Sequence, residues 1–75
     1  MGVEMERPTH GETQKRIRVS VYNNTATRED VIEWCENVGI KLFWVTLFLD
    51  VRARSGVEAY FDTEEDAMVF KLGWL

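Results

Sequence analysis

Residues 40–61 read IKLFWVTLFLDVRARSGVEAYF, and the fold follows from how this stretch divides. Ile40 to Ala53 is rich in aromatic and β-branched residues and lacks the polar face a helix would need, so it reads as a long strand. Arg54-Ser55-Gly56 reads as a three-residue hairpin loop with glycine in the left-handed position, returning the chain into Val57 to Phe61. That loop sets Ala53 opposite Val57 and Arg52 opposite Glu58, an opposite-charge cross-strand pair.

Working outward toward the N-terminus, Lys15 to Tyr22 alternates strictly, with Ile17, Val19 and Val21 on one side and Arg16, Arg18, Ser20 and Tyr22 on the other. This is the pattern of a half-buried strand. Asn23-Asn24 marks a turn, and Thr27 with Asp30 has the spacing of a helix capping box. Val31, Ile32, Cys35 and Val38 then recur at helical spacing, Trp34 widens the stripe, and Gly39 stands where a left-handed C-terminal cap is wanted. Beyond the hairpin, Asp62 or Thr63 caps a second helix. Its first turn holds Glu64, Glu65 and Asp66 at the positive end of the helix dipole. Ala67, Met68, Phe70 and Leu72 supply its apolar surface, Gly73 ends it, and Trp74 and Leu75 fold back onto the core.

The element order is β-α-β-β-α, an α+β chain. A right-handed crossover followed by a tight hairpin leaves two topologies. The favoured one inserts the third strand between the first two, giving a three-stranded sheet of order 1-3-2 with two helices on one face. That is a truncated ferredoxin-like plan, lacking its fourth strand. The other keeps the first strand beside the second. Residues 1–14 lack apolar periodicity and carry Pro8, Gly2 and Gly11, so they read as a flexible tail, and 15–75 as a single domain.

Parity is the most informative feature of the three strands. Odd positions are apolar throughout (Ile17, Val19, Val21; Phe43, Val45, Leu47, Leu49, Val51; Val57, Ala59, Phe61) and are expected to face the helices. Even positions face away, and there the long strand places Leu42, Trp44 and Phe48, flanked by Tyr22 and Tyr60. Open sheets alternate apolar-in with polar-out, so an apolar strip on the uncovered face reads as a contact surface. The expected protein interface is therefore Leu42, Trp44, Phe48, Tyr60 and Tyr22.

Composition narrows the function classes. With 75 residues, 45% hydrophobic and 29% charged, and a formal net charge of −4, the chain is an ordinary small acidic domain. At this size only about 60% of the unfolded surface is buried, which makes self-association worth weighing. One cysteine and one histidine supply neither a disulfide framework nor a structural zinc site. The longest apolar run, Leu42 to Leu49, falls short of the roughly 20 residues of a membrane span. No secretory signal or myristoylation pattern is present, and the expected setting is reduced and cytoplasmic.

Candidate chemical groups have plain structural readings. Cys35 sits near a helix C-terminus, where the dipole opposes thiolate formation, and reads as core filler. His10 lies in the tail with no carboxylate or cysteine at ligand spacing. Glu64, Glu65 and Asp66 diverge around a helix and read as capping and dipole complementation, and Glu29, Asp30, Glu33 and Glu36 as a solvated acidic stripe. No phosphate loop, Ser-His-Asp set, HExxH or CxxC occurs, so no catalytic, cofactor or metal residues are assigned and binding is expected over catalysis.

The ending Tyr60-Phe61-Asp62-Thr63-Glu64-Glu65-Asp66-Ala67-Met68-Val69-Phe70-Lys71-Leu72-Gly73-Trp74, with its DAMxFKLxW pattern, resembles small uncharacterised proteins of tailed, especially marine, bacteriophages. Thr27 to Cys35 resembles their first helix. The resemblance covers about half of the chain and implies a phage origin and a life in the cytoplasm of an infected bacterium, with no activity attached.

Three readings remain. The first is a homodimer or small oligomer formed by stacked open faces or joined edges of the long strand. The second is a single-stranded nucleic-acid platform using Arg16, Arg18, Tyr22, Tyr60 and Arg52, which the acidic net charge opposes. The third is docking on a larger host or phage protein.

Overall fold

A computed structural model describes residues 8–74; residues 1–7 of the expected tail and Leu75 lie outside the described residues. The elements are α1 (His10–Gln14), β1 (Ile17–Tyr22), α2 (Arg28–Val38), β2 (Trp44–Leu49), β3 (Ser55–Phe61) and α3 (Glu64–Trp74). The sheet has the order β1-β3-β2, with β3 antiparallel to both neighbours. This is the 1-3-2 order expected from the crossover and hairpin rules.

The helix ends follow local chemistry. At α2 the Asp30 N–H donates to Thr27 Oγ1 (3.2 Å) and the Thr27 N–H donates back to Asp30 Oδ2 (2.9 Å), closing the capping box. Gly39 stops the helix at φ 82°, its N–H donating to the Cys35 and Glu36 carbonyls. Thr63 opens α3 by accepting from the Asp66 N–H at 3.2 Å. A second capping box, Thr9 with Glu12, starts the single turn of α1 inside the segment read as tail. With no buried side chain, this turn rests on its cap.

Away from the hairpin tip, the odd-numbered side chains of the sheet meet α2 and α3 in one core. Val19, Val21, Val45, Val57, Ala59 and Phe61 pack with Val31, Cys35, Ala67 and Phe70. Full burial of each large apolar side chain contributes about 1.5–3 kcal/mol. Trp34 and Trp74 close the end of the core around Phe70, edge-on and stacked respectively. Gly73 lies inside α3 and does not end it. A Cβ there would overlap the Trp34 ring, so glycine is present for close helix packing.

The hairpin differs most from its sequence reading. β2 is six residues long, and the loop is Asp50–Arg54, with Gly56 inside β3. Val57 therefore faces Leu47, Glu58 faces Thr46, and Ser55 faces Leu49; Ala53 and Arg52 lie in the loop, unpaired with strand residues. The cause is Asp50. Its Oδ1 accepts the N–H groups of Arg52 and Arg54, each at 2.9 Å, and its own N–H donates to the Arg54 carbonyl at 2.9 Å. Ala53 takes the left-handed conformation (φ 59°) that had been expected of glycine. The register moved by an even number of positions, so the parity of the faces survives.

Leu42 is a second correction, since it packs against the core and not on the open face. The Phe43 N–H donates to the Tyr60 carbonyl at 2.8 Å although Trp44 is the partner of Tyr60. Two residues thus address one, as in a β-bulge, and the alternation restarts at that point. Ile40 and Leu42 turn inward, while Phe43, expected in the core, stays half-exposed under Arg16.

Candidate interaction surface

The open face is built in three rows across the sheet: Arg18–Tyr60–Trp44, Ser20–Glu58–Thr46 and Tyr22–Gly56–Phe48. Gly56 leaves a gap in the last row. A Cβ there would overlap the Val21 carbonyl oxygen and the Phe48 ring, and over this bare position Tyr22 and Phe48 meet edge to face at 5.4 Å. Aromatic rings laid over a glycine help to pin strand register where no side chain is present.

Arginines dress the remaining aromatics. Arg54 stacks on Tyr22 at 4.4 Å, Arg28 on Trp44 at 4.5 Å and Arg16 on Phe43 at 4.0 Å. Arg16 also pairs with Asp62, and Arg54 Nε with Asp50 Oδ2 at 2.9 Å. The centre of the face carries Glu58, which accepts from Ser20 and lies 3.7 Å from Arg18. Trp44, Phe48 and Tyr60 are consequently half-buried, and Tyr22 remains exposed. Of the residues considered for nucleic acid, Arg16 and Arg18 lie on this face beside carboxylates, while Arg52 stands apart in the loop.

The larger bare surface is elsewhere, on the helix side at the hairpin end. Val45 is fully buried, yet Leu47 is 50% exposed, Leu49 69% and Val51 completely so. All of them are odd-numbered and were expected beneath helices. The first helical residue of α2, Arg28, reaches back only to Val45, where its Nε donates to the Val45 carbonyl at 2.9 Å. The helical layer therefore stops short of the hairpin tip.

That bond also fixes the state of the β2 edge. The Val45 carbonyl points away from β3, and alternation in an antiparallel ladder turns the backbone groups of Leu47 and Leu49 outward as well. The Asp50 N–H to Arg54 carbonyl bond, on the inward parity, agrees. Arg28 guards the lower half of the edge. Among the described residues the upper half has only the Thr46 hydroxyl, 3.4 Å from the Leu47 carbonyl. An exposed apolar edge of this kind invites another strand. Arg28 and the uncovered tip escaped sequence reasoning, since alternation carries no information on where a neighbouring helix begins.

The reactive residue types sit apart from this surface. Cys35 is buried, and burial first, with Asp66 second, pushes its thiol up to about 11, well away from thiolate character at neutral pH. His10 lies on α1, its ring nitrogen 2.9 Å from Gln14 Nε2. Among the described residues no His, Cys, Asp and Glu groups assemble at metal-holding distances, and no helix is long and apolar enough to cross a membrane.

Compared with family models, curated proteins and solved structures, the chain matches none.

Proposed function

We propose that this is a small non-enzymatic interaction protein that self-associates through the distal edge of β2. The observation that carries the reading is the run Leu47, Leu49 and Val51, exposed together along the distal part of β2 and into its loop, on an edge whose outward backbone groups above Val45 meet, among the described residues, only the Thr46 hydroxyl. Covering the half of Leu47 and two-thirds of Leu49 that are exposed is worth about 1–2 kcal/mol each, and adding a strand satisfies the edge. The size of the chain adds support, because a domain this small gains proportionally from extending its core.

The alternative, a platform for single-stranded nucleic acid, draws less support. Arg16 lies on Phe43 and beside Asp62, Arg18 lies beside Glu58, Arg52 stands apart in the loop, and Glu58 sits at the centre of the face a phosphate backbone would cross.

Light scattering after gel filtration tests the reading. The wild-type chain is expected to run above the monomer mass at tens of micromolar. Leu49→Lys, a change on an exposed side chain, should weaken association at least about tenfold while leaving the far-ultraviolet circular dichroism unchanged. A Leu49→Lys protein with the wild-type mass profile would remove the β2 edge from consideration.

A further inference from the structure

Arg28 does more than cap one carbonyl. It starts on the helix side of the sheet as the first residue of α2, donates from Nε to the Val45 carbonyl at 2.9 Å at the strand edge, and lays its guanidinium 4.5 Å from the centre of the Trp44 ring on the opposite face. Its side chain therefore crosses the β2 edge from one face to the other. Neighbouring strands run about 4.7–4.9 Å apart, so a strand laid beside Val45 would need both the space and the carbonyl that Arg28 already holds. Further up, the outward backbone groups of Leu47 and Leu49 meet, among the described residues, only the Thr46 hydroxyl.

We infer that Arg28 is a gate on this edge: it confines strand addition by a second copy of the chain to Leu47 and Leu49, and so fixes one symmetric register. The inference rests on the reading of β2 above and says how that site is regulated. When two copies of one strand pair antiparallel, outward residues meet outward residues, so odd positions of β2 meet odd positions and the two-fold axis passes through a single residue. An axis through Thr46 or Leu47 directs an N–H of the second copy, from its Leu47 or its Leu49, at the Val45 carbonyl, where Arg28 donates. An axis through Leu49 sets Leu47 against Val51, which lies in the loop beyond the strand. An axis through Phe48 pairs Leu47 with Leu49 of the second copy, and the two exchange their bonds without disturbing Arg28.

The Phe48 register also suits what is exposed. Leu47, 50% exposed, and Leu49, 69% exposed, come against their counterparts as one apolar cluster on the helix side. The acidic helices stay apart. α2 ends at Val38, and the short connection to Trp44 keeps that end near the start of β2, so α2 leads away from the leucines. Two-fold symmetry sends the two α2 helices in opposite directions along the sheet, and Glu33 and Glu36 recede from the axis. A contact of this isologous kind uses the same edge in both copies, so it closes at a dimer and joins two three-stranded sheets into one. With Arg28 removed, the Leu47 axis opens and adds the bond to the Val45 carbonyl in each copy.

Arg28→Ala tests the gate. Alanine is a strong helix former, and thermal melts should confirm that the variant is folded; Arg28→Met, which keeps length over Trp44 but has no donor, takes its place if it is not. Sedimentation equilibrium should give a wild-type dimer and a dissociation constant roughly tenfold lower for the variant, from one added hydrogen bond per copy. Register is read in a mixture of isotope-labelled and unlabelled chains, from Hα–Hα contacts between copies. The wild type should show Phe48 facing Phe48, and the variant Thr46 facing Phe48, the non-hydrogen-bonded pairs of the two registers. A variant that associates no more tightly, or that keeps the Phe48 to Phe48 contact, or a wild type that already shows Thr46 against Phe48, would overturn the gate, although the β2 strip stands. If Leu49→Lys keeps the wild-type mass, the reading of β2 fails, and the inference with it.

Discussion

Val45 and Leu49 lie on the same face of the same strand, four positions apart, and one is fully buried while the other is 69% exposed. Alternation assigns both to the helix side and says nothing of how far the helices reach. The lower half of the molecule is held by burial, with Phe61, Val45 and Phe70 wholly inside. The upper half is covered unevenly: Val57 and Val21 are buried, while Leu47 in the same row and Leu49 above it are exposed. It is held by the hydrogen-bonded loop around Asp50, by the Tyr22 and Phe48 rings meeting over Gly56, and by Arg54 lying on Tyr22. One strand thus runs from a core into a projection, and the projection is where a binding surface can be carried without weakening the core.

The largest expected difference between the halves is in cavity cost. Phe61→Ala should lower unfolding free energy by about 3–5 kcal/mol, the range for buried aromatic truncations, whereas Leu49→Ala should stay within about 0.5 kcal/mol at concentrations where the chain is monomeric. Urea denaturation measures both. In case Phe61→Ala does not fold, Val45→Ala, with roughly 2 kcal/mol at stake, makes the same comparison. A Leu49→Ala protein as damaged as Val45→Ala would mean the tip is covered after all.

Gly56 offers a smaller, sharper probe of the upper half. Gly56→Ala drives a methyl group into the Val21 carbonyl and the Phe48 ring, and should cost about 1–3 kcal/mol as overpacking. Part of that cost belongs to the ring. Phe48→Leu made together with Gly56→Ala should therefore be less than additive, and strict additivity would show that Phe48 does not lie over the glycine.

Much of the lower half is legible in the sequence because its signals are local. The alternation of Ile17 to Tyr22, the Thr27 and Asp30 capping box and the left-handed Gly39 each act within a few residues, and the order of the strands follows from chain connectivity. The upper half depends on events across the chain. Glycine at position 56 resembles a turn residue until Tyr22 and Phe48 are brought to either side of it, and Gly73 resembles a helix stop until Trp34 lies against it. Leu42 reads as outward by parity because nothing local announces that Phe43 and Trp44 share Tyr60. Parity points to the open face for the surface strip for the same reason. Arg16, Arg28 and Arg54 arrive there from distant elements, and the true gap opens where α2 begins too low.

The least disruptive probe is pH, acting through Asp50. The Arg54 N–H chiefly, with the Arg52 N–H, the Tyr22 hydroxyl and the Arg54 side chain, holds the Asp50 carboxyl below the usual carboxylate range. Because the folded value is depressed, its contribution to stability is complete above the unfolded value of about 3.9 and is lost as pH falls through the folded one. Carboxyl chemical shifts followed from pH 7 downward should show Asp50 titrating below the unfolded reference, and the amides of Arg52 and Arg54 should move with it. Asp50→Asn keeps an acceptor for the two N–H groups but removes the charge facing Arg54, so its stability should vary less with pH below about 4 than that of the wild type. The loss should be confined to the hairpin tip, leaving the amides of Val45 and Phe61 undisturbed. Equal acid sensitivity at both ends would show that the loop and the core open as one unit, and the distinction between a buried base and a hydrogen-bonded tip would fail.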